Sequence, residues 1–229
     1  MTYLVTGCSK GLGKAITLQL LIAGHEVIGV SRTEVDFGKN FRHLKLDLKQ
    51  NMNEINSYLL NNKIKLNGFV NNAAQAYDDI VTNIKREPLE DMFNINVITP
   101  MMITKSVIRN FILHKKKGSI IHISSISAHT GYKGLSMYAS TKGALEAFSK
   151  GVSREWGRLG IRSNCITPGF METEMSSTLT NDQKNRIANR TSLGKLTDIE
   201  SVSHLVEFLL SDKSKSITGQ NYFIDSGTI

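Results

Sequence analysis

The chain has 229 residues, of which 40% are hydrophobic, 21% are charged and only three are proline. This composition is typical of an ordinary globular protein and excludes a disordered or fibrous one. The 28 basic and 20 acidic side chains give a net charge of +8, which favours either an anionic partner or solubility without choosing between them.

Targeting, metal and nucleic-acid signals are weak throughout the sequence. The first residues lack a secretory leader, and no apolar stretch approaches the roughly 20 residues of a membrane span. We therefore expect a cytoplasmic protein with no membrane partner. Cys8 and Cys165 form neither a ligand-spaced pair nor a disulfide framework, and the six histidines lack the spacing of a zinc site, so no metal is expected. The basic residues are not interleaved with aromatic ones, which argues against nucleic-acid binding.

Short apolar or β-branched runs alternate with longer segments of helical period along the chain. Such helical periodicity is clear at Leu145, Phe148 and Val152, whereas the segment between the second and third runs is too short for a full helix. This alternation predicts an α/β protein: one doubly wound, seven-stranded parallel sheet with helices on both faces, formed as a single domain by residues 1–229. The predicted strands are Tyr3–Thr6, Glu26–Ser31, His43–Leu46, Gly68–Asn71, Ser119–Ile123, Arg162–Thr167 and Tyr222–Ile224.

A glycine-rich turn follows the first predicted strand and opens a helix at once. Its glycines would let the turn tighten and let the backbone approach a pyrophosphate, whose charge is favoured at the start of a helix. The turn therefore predicts a dinucleotide site on a Rossmann fold, the alternative being a tight turn without a ligand. The predicted contacts from this turn are Gly7, Ser9, Lys10, Gly11, Leu12 and Gly13.

The charges beside this turn favour NADP over NAD. A 2′-phosphate requires cations, whereas a free ribose hydroxyl is usually held by an acid about 20 residues past the glycines. Arg32 ends the second strand and could grip a phosphate in two places, with Lys10 adding a second charge. NAD is the less favoured alternative, with Glu34 or Asp36 holding the ribose.

A tyrosine and a lysine lie one helical turn apart at Tyr138 and Lys142, where both can reach one ligand. Ser125 follows the fifth predicted strand and precedes Tyr138 by 13 residues. With the Gly-x-x-x-Gly-x-Gly spacing of the turn and Asn71-Asn72-Ala73-Ala74, this pattern resembles the short-chain dehydrogenase/reductase family from Leu4 to Gly227.

The resemblance implies an NAD(P)-dependent oxidoreductase and assigns further residues. Asn96 would complete a catalytic tetrad with Ser125, Tyr138 and Lys142 and would position a water molecule linking Lys142 to solvent. Ile166 and Thr173 are the candidates for binding the nicotinamide carboxamide. The other implied cofactor contacts are Asp47, Leu48, Asn72, Ala73, Ala74, Tyr138, Lys142, Pro168 and Gly169. Ala74 and Ser226 stand where the family commonly has glycine.

The residue types fit acid–base chemistry. A phenol has a pKa of about 10, and nearby positive charge from Lys142 and an oxidised nicotinamide would lower the pKa of Tyr138. Tyr138 would then protonate a carbonyl oxygen as hydride arrives, while Ser125 hydrogen-bonds the developing alkoxide. The segment from Met171 to Arg190 is a candidate substrate lid, or else a pair of surface helices.

The substrate is less well defined than the chemistry. Pro168 to Met175 resembles 3-oxoacyl-[acyl-carrier-protein] reductases, which implies an acyl-thioester substrate, and Lys115 to Lys117 and Arg158 could offer cations to an acidic carrier protein. A sugar, polyol or other small-molecule alcohol is an alternative, and a catalytically idle NADP-binding regulator is another. The family implies a homotetramer or homodimer, built through the last strand and the helices around Met92 to His114 and Tyr138 to Trp156.

Overall fold

The computed structural model describes residues 1–173 and 179–229, and its centre is a parallel sheet of seven strands. Each predicted strand is present within two residues of its expected bounds. The strand order is β3-β2-β1-β4-β5-β6-β7, which confirms the doubly wound α/β fold. The strands are β1 (Thr2–Thr6), β2 (Glu26–Ser31), β3 (Phe41–Lys45), β4 (Gly68–Asn71), β5 (Gly118–Ile123), β6 (Ile161–Pro168) and β7 (Asn221–Ile224).

Helices cover both faces of this sheet. No helix lies between β2 and β3, where the short spacing excluded one; instead, Phe37 packs on Phe41 with ring centroids 4.8 Å apart. Within the described ranges, no helix is both long enough and apolar enough to cross a bilayer. The α-helices are α1 (Gly11–Ile22), α2 (Leu48–Asn51), α3 (Asn53–Asn61), α4 (Arg86–Phe93), α5 (Thr99–Leu113), α6 (Ser136–Trp156), α7 (Asn181–Ala188) and α8 (Ile199–Leu210).

Alternation along β1 divides the core into two layers. Leu4 points to the face covered by α3, α5 and α6, whereas Tyr3 and Val5 point to the face covered by α1 and α8. All three side chains are fully buried. The central strands are therefore apolar on both faces, as expected of a parallel sheet between two helical layers.

The strand order reverses between β1 and β4, which are neighbours in the sheet although they are distant in the chain. The connections from these strands lead to opposite faces of the sheet, and so leave a crevice at their carboxyl ends. In open α/β sheets, ligands bind at this position. The fold thus predicts a ligand site formed by the loops that follow β1, β4 and β5.

The closing turn contains a non-glycine residue in the left-handed region, since the φ angle of Ser226 is +58°. A non-glycine residue in this region destabilises the folded state by about 1–2 kcal/mol. Replacement by glycine removes this strain, but about half of the gain is offset because glycine loses more conformational entropy on folding. We expect Ser226→Gly to raise the free energy of unfolding by about 0.5–1 kcal/mol in urea titrations. Ser57→Gly, inside α3, should instead destabilise by about 0.5–1 kcal/mol. A less stable Ser226→Gly protein would contradict this reading of the turn.

Candidate active site

A cleft of about 870 Å³ opens at the carboxyl ends of the strands, where the strand order reverses. Every residue predicted to contact the cofactor, except Ile166, lies on its wall. These residues are Gly7, Ser9, Lys10, Gly11, Leu12, Gly13, Arg32, Asp47, Leu48, Asn72, Ala73, Ala74, Tyr138, Lys142, Pro168, Gly169 and Thr173.

The glycine turn is shaped by close backbone contacts. Gly7 has a φ angle of +71°, and a Cβ atom on Gly13 would overlap the carbonyl oxygen of Gly7. Asn72 supports the same turn, because its Nδ2 donates to the carbonyl oxygens of Thr6 and Gly7 at 3.1 and 3.2 Å. Asn72 thus links the loop after β4 to the turn after β1. Ala74 replaces the family's glycine without adopting a positive φ angle.

Helix α1 starts at Gly11 on the wall of the cleft. The Lys10 side chain does not cap this helix, and its first turn contains no acidic residue. The first N–H groups of an α-helix have no partner within the helix and carry partial positive charge. The glycine turn and the start of α1 therefore fit the pyrophosphate of a dinucleotide.

The adenosine end of the cleft distinguishes Arg32 from the neighbouring acids. Arg32 lines the cleft. In contrast, Glu34 pairs with Lys45 at 3.4 Å and Asp36 accepts from the backbone N–H of Gly38 at 2.9 Å. Neither acid is among the described residues that line the cleft. Both carboxylates thus have partners that do not line the cleft.

The floor beside Arg32 is formed by the start of α2. Asp47 caps this helix by accepting from the backbone N–H of Lys49 at 3.0 Å, and Leu48 is buried behind it. The cap fixes the carboxylate of Asp47 at the cleft wall. This is compatible with the cofactor contact that the family resemblance implies for Asp47, which stays a prediction.

Three predicted catalytic side chains meet at the other end of the cleft. Tyr138 and Lys142 lie in the first two turns of α6, and Lys142 Nζ is 5.5 Å from the centre of the Tyr138 ring. Lys142 Nζ also donates to the carbonyl oxygen of Ile123 at 2.8 Å. Ser125 Oγ accepts from the N–H and the hydroxyl of Ser127 at 3.2 and 3.0 Å. Because Ser125 accepts in both contacts, its own hydrogen is available to a substrate oxygen.

The acidity of Tyr138 differs from the sequence expectation. Burial raises the pKa of Tyr138, and the nearby carboxylate of Asp78 raises it further. Burial also lowers the pKa of Lys142 to about 8, against the opposing effects of Cys165 and Glu146. In the protein without cofactor the Tyr138 pKa is therefore raised, because burial disfavours the phenolate, whereas the sequence prediction of a lowered pKa included the charge of an oxidised nicotinamide. At neutral pH this phenol is protonated and suited to donate a proton.

Asn96 is buried beneath the site and is not among the described residues on the cleft wall. It lies in a π-helical segment, Asn94–Ile98, between α4 and α5. Its Oδ1 accepts from the backbone N–H of Gln75 at 2.8 Å, and its Nδ2 donates to the carbonyl oxygen of Gln75 at 2.8 Å. Nδ2 also donates to Thr141 Oγ1 at 3.1 Å. Asn96 thereby ties the loop after β4 to the helix that carries Tyr138. Its predicted contact with a water molecule stays a prediction.

The turn after β6 places one of two predicted residues at the cleft. Thr173 lines it, but Ile166 is fully buried in the core on the α1 and α8 face, so the prediction for Ile166 is wrong. Ile166 points into a helical layer because it alternates with its strand neighbours. In the candidate lid, Ile187 of α7 reaches the cleft. Glu174 and Met175 of the predicted motif lie outside the described residues.

The substrate end contains further side chains for which the sequence predicted no individual role. Their only sequence signal is that they follow β4, β5 and β6, whose carboxyl ends border the crevice. They mix charged, polar and apolar groups: Gln75, Asp78, Tyr132, Lys133, Leu135, Phe170, Met171 and Ile187.

The basic residues Lys115 to Lys117 and Arg158 lie at the end of the sheet opposite the cleft. Lys115 to Lys117 immediately precede β5, and Arg158 precedes β6, so both stand at the amino ends of strands whose carboxyl ends form the cleft. These cations therefore stand at the opposite ends of the strands from the cleft, and their contact with an acidic carrier protein stays a prediction.

Comparisons with known proteins agree with this geometry. A family model described as enoyl-(acyl carrier protein) reductase matches residues 7–228. The 3-oxoacyl-[acyl-carrier-protein] reductase FabG of Escherichia coli K12 is 33% identical over 236 residues, covering 98% of this chain and 95% of the relative. Carbonyl reductase [NADPH] 2 of Sus scrofa is 31% identical over 232 residues, covering 98% and 94%.

Solved structures share the fold. A 4-hydroxyisoleucine dehydrogenase complexed with NADH superposes with a TM-score of 0.94 at 22% identity, covering 99% of this chain and 98% of that one. A variant of ElxO with NADPH bound gives 0.91 at 26% identity, with the same coverage. The chain belongs to the short-chain dehydrogenase/reductase family. It is accordingly an oxidoreductase that uses a nicotinamide cofactor.

Proposed function

We propose that this protein is an NADPH-dependent reductase that converts the ketone of a 3-oxoacyl thioester, or a similar carbonyl, to the alcohol. The observation that carries the proposal is one cleft with a phosphate cradle at one end and Ser125, Tyr138 and Lys142 at the other. The printed names of two relatives, FabG and carbonyl reductase [NADPH] 2, describe carbonyl reduction. The relatives support carbonyl reduction as the reaction, and the residues of the cleft support the cleft as the place where it occurs.

The protein's own residues supply proton transfer and orientation. Tyr138 donates its phenolic proton to the carbonyl oxygen, and Ser125 donates a hydrogen bond to the same oxygen as negative charge develops. When bound, the reduced nicotinamide supplies the hydride. Lys142 is anchored by the Ile123 carbonyl oxygen below the Tyr138 ring. There its positive charge stabilises the phenolate that proton donation leaves behind.

Assays with acetoacetyl thioesters test the substrate class. We expect NADPH consumption with the thioester, with formation of the 3-hydroxyacyl product. Activity on sugars or polyols alone would refute the thioester and favour the second candidate, a small hydroxylated substrate. The polar side chains of Gln75, Asp78 and Lys133 at the substrate end favour that candidate.

The preference for NADPH depends on Arg32 in this proposal. A hydrogen bond to a charged group contributes about 1.5–3 kcal/mol, so Arg32→Gln should lower kcat/KM for NADPH by roughly 10- to 100-fold. The value for NADH should change little, because the 2′-phosphate is the only difference between the two cofactors. Arg42→Gln is the matched control, since Arg42 is an exposed arginine that faces Glu26 on β2. Equal losses with both cofactors would contradict the assignment of Arg32.

We also propose that the protein forms a homotetramer or homodimer. Large apolar side chains are exposed on α5, at Met102, Ile112 and Leu113, and on β7 at Phe223. Burial of such side chains between copies would remove apolar surface from water. Sedimentation analysis should therefore give a mass of two or four chains, and a monomer at micromolar concentration would refute this.

A further inference from the structure

The Ser31 hydroxyl stands at the centre of a hydrogen-bond network behind the adenosine end of the cleft. It donates to the carbonyl oxygen of Thr33 at 2.8 Å and lies 2.8 Å from Nε2 of His43. The thiol of Cys8 donates to it at 3.4 Å. A hydroxyl has one hydrogen and two lone pairs, so these three contacts use its full capacity. They also require Nε2 of His43 to be the donor.

The network joins three parts of the fold behind the adenosine end of the cleft. Cys8 belongs to the glycine turn, Ser31 ends β2 and His43 lies on β3. Ser31, Arg32 and Thr33 line the cleft, whereas His43 is not among the described residues on its wall. His43 is therefore placed to act through Ser31 and not by touching the cofactor.

The His43 ring is itself held in place. It stacks on Phe41 with centroids 6.1 Å apart and planes at 27°. Burial lowers the pKa of His43, with Lys45 acting in the same direction and Glu34 against it. The ring is thus neutral at pH 7, and a single Nε2–H group can serve the Ser31 hydroxyl.

We propose that Ser31 and His43 are positioning residues for cofactor selection. The Ser31 hydroxyl, held by His43, fixes the Ser31-Arg32-Thr33 turn so that the Arg32 guanidinium is presented to the 2′-phosphate of NADPH. This inference rests on the proposed preference for NADPH.

The physical reason is conformational entropy. Arginine loses much rotamer freedom when it grips a phosphate, and a mobile backbone beneath it would add to that cost. A turn that is already fixed removes the backbone part of the cost. The effect is confined to the adenosine end, because the network does not include Ser125, Tyr138 or Lys142.

Titrations of NADPH and NADH against the wild-type protein, Ser31→Ala, His43→Ala and His43→Gln test this role. We expect Ser31→Ala and His43→Ala to raise the Kd for NADPH by about three- to tenfold, as for the loss of one or two hydrogen bonds. The Kd for NADH and kcat at saturating NADPH should stay within about twofold of the wild-type values, since neither reports on the 2′-phosphate contact. His43→Gln retains an N–H donor and should restore most of the affinity for NADPH.

His25 provides the matched control. It is also half-buried, but it packs against Tyr3 just before the first residue of β2, at the opposite end of that strand. His25→Ala should leave both dissociation constants unchanged. The inference is wrong if the ratio of the Kd for NADH to the Kd for NADPH in His43→Ala and Ser31→Ala equals the wild-type ratio, whether both constants stay the same or both rise by the same factor. A wild-type protein that binds NADH more tightly than NADPH would instead overturn the proposed function, and this inference with it.

Discussion

Tyr138→Phe should lower kcat/KM for carbonyl reduction by about 10²- to 10⁴-fold, the usual contribution of a positioned proton donor. The substitution removes only the phenolic hydroxyl and keeps the ring that packs in the cleft. Binding of NADPH, measured by fluorescence titration, should therefore stay close to wild type. Steady-state kinetics with a fixed carbonyl substrate measure the loss.

Tyr132→Phe is the matched control for this experiment. Tyr132 lines the same cleft but is about one-third exposed, whereas the Tyr138 phenol is shielded enough for its pKa to rise. Tyr132→Phe should keep kcat within about threefold of wild type, as expected for a side chain outside the reacting group. Equal losses in the two variants would contradict the assignment of Tyr138, and normal turnover by Tyr138→Phe would refute it.

Acid should destabilise the protein through His122 on β5. The ring is fully buried between Phe69 and Phe148, and neither of its nitrogens has a hydrogen-bond partner within the described part of the chain. Burial lowers the pKa of His122 to about 3, and the charge of Lys142 contributes. The folded protein thus keeps this ring neutral at pH values where the unfolded chain protonates it.

The sign of the effect follows from proton binding. Below the unfolded pKa of about 6.5, the unfolded state binds a proton that the folded state excludes, so stability falls as pH falls towards 3. The expected loss is about 1.4 kcal/mol at pH 5.5 and about 2.7 kcal/mol at pH 4.5, since one pKa unit corresponds to about 1.4 kcal/mol. Urea unfolding of wild type and His122→Leu across this range measures it.

The difference between the two proteins isolates His122 from other titrating groups. The free energy of unfolding of His122→Leu should rise relative to wild type by about 1.4 kcal/mol for each pH unit below 6.5. His204→Gln, on the exposed side of α8, should follow the wild-type curve. A constant difference between wild type and His122→Leu at all pH values would mean that His122 does not cause the acid sensitivity.

Local signals made the fold predictable from sequence. Apolar strands alternate with helical patterns, and each local preference agrees with the same layered sheet, so strand bounds were accurate to two residues. The glycine turn was predictable because its steric demand is local: Gly13 packs against Gly7, six residues away. The absence of a helix between β2 and β3 was predictable because the segment that connects them is short.

Long-range contacts made other parts of the site unpredictable. The Tyr138 pKa depends on burial and on Asp78, which lies 60 positions earlier, and neither is visible in the spacing of Tyr138 and Lys142. Asn96 reads as a mid-helix asparagine until the fold brings it to Gln75 and Thr141. Likewise, the direction of β5 in the folded sheet is what places Lys115 to Lys117 at the end of the sheet opposite the cleft.

Hydride transfer from NADPH to a carbonyl carbon can be followed with an isotope label. The wild-type protein would be incubated with NADPH carrying deuterium at the transferable position of the nicotinamide and with an acetoacetyl thioester, and the product analysed by mass spectrometry. We predict one deuterium on the new carbinol carbon, with at least a hundredfold slower formation by Tyr138→Phe. A protein that binds NADPH but transfers no label to this ketone or to any other carbonyl tested would contradict the account.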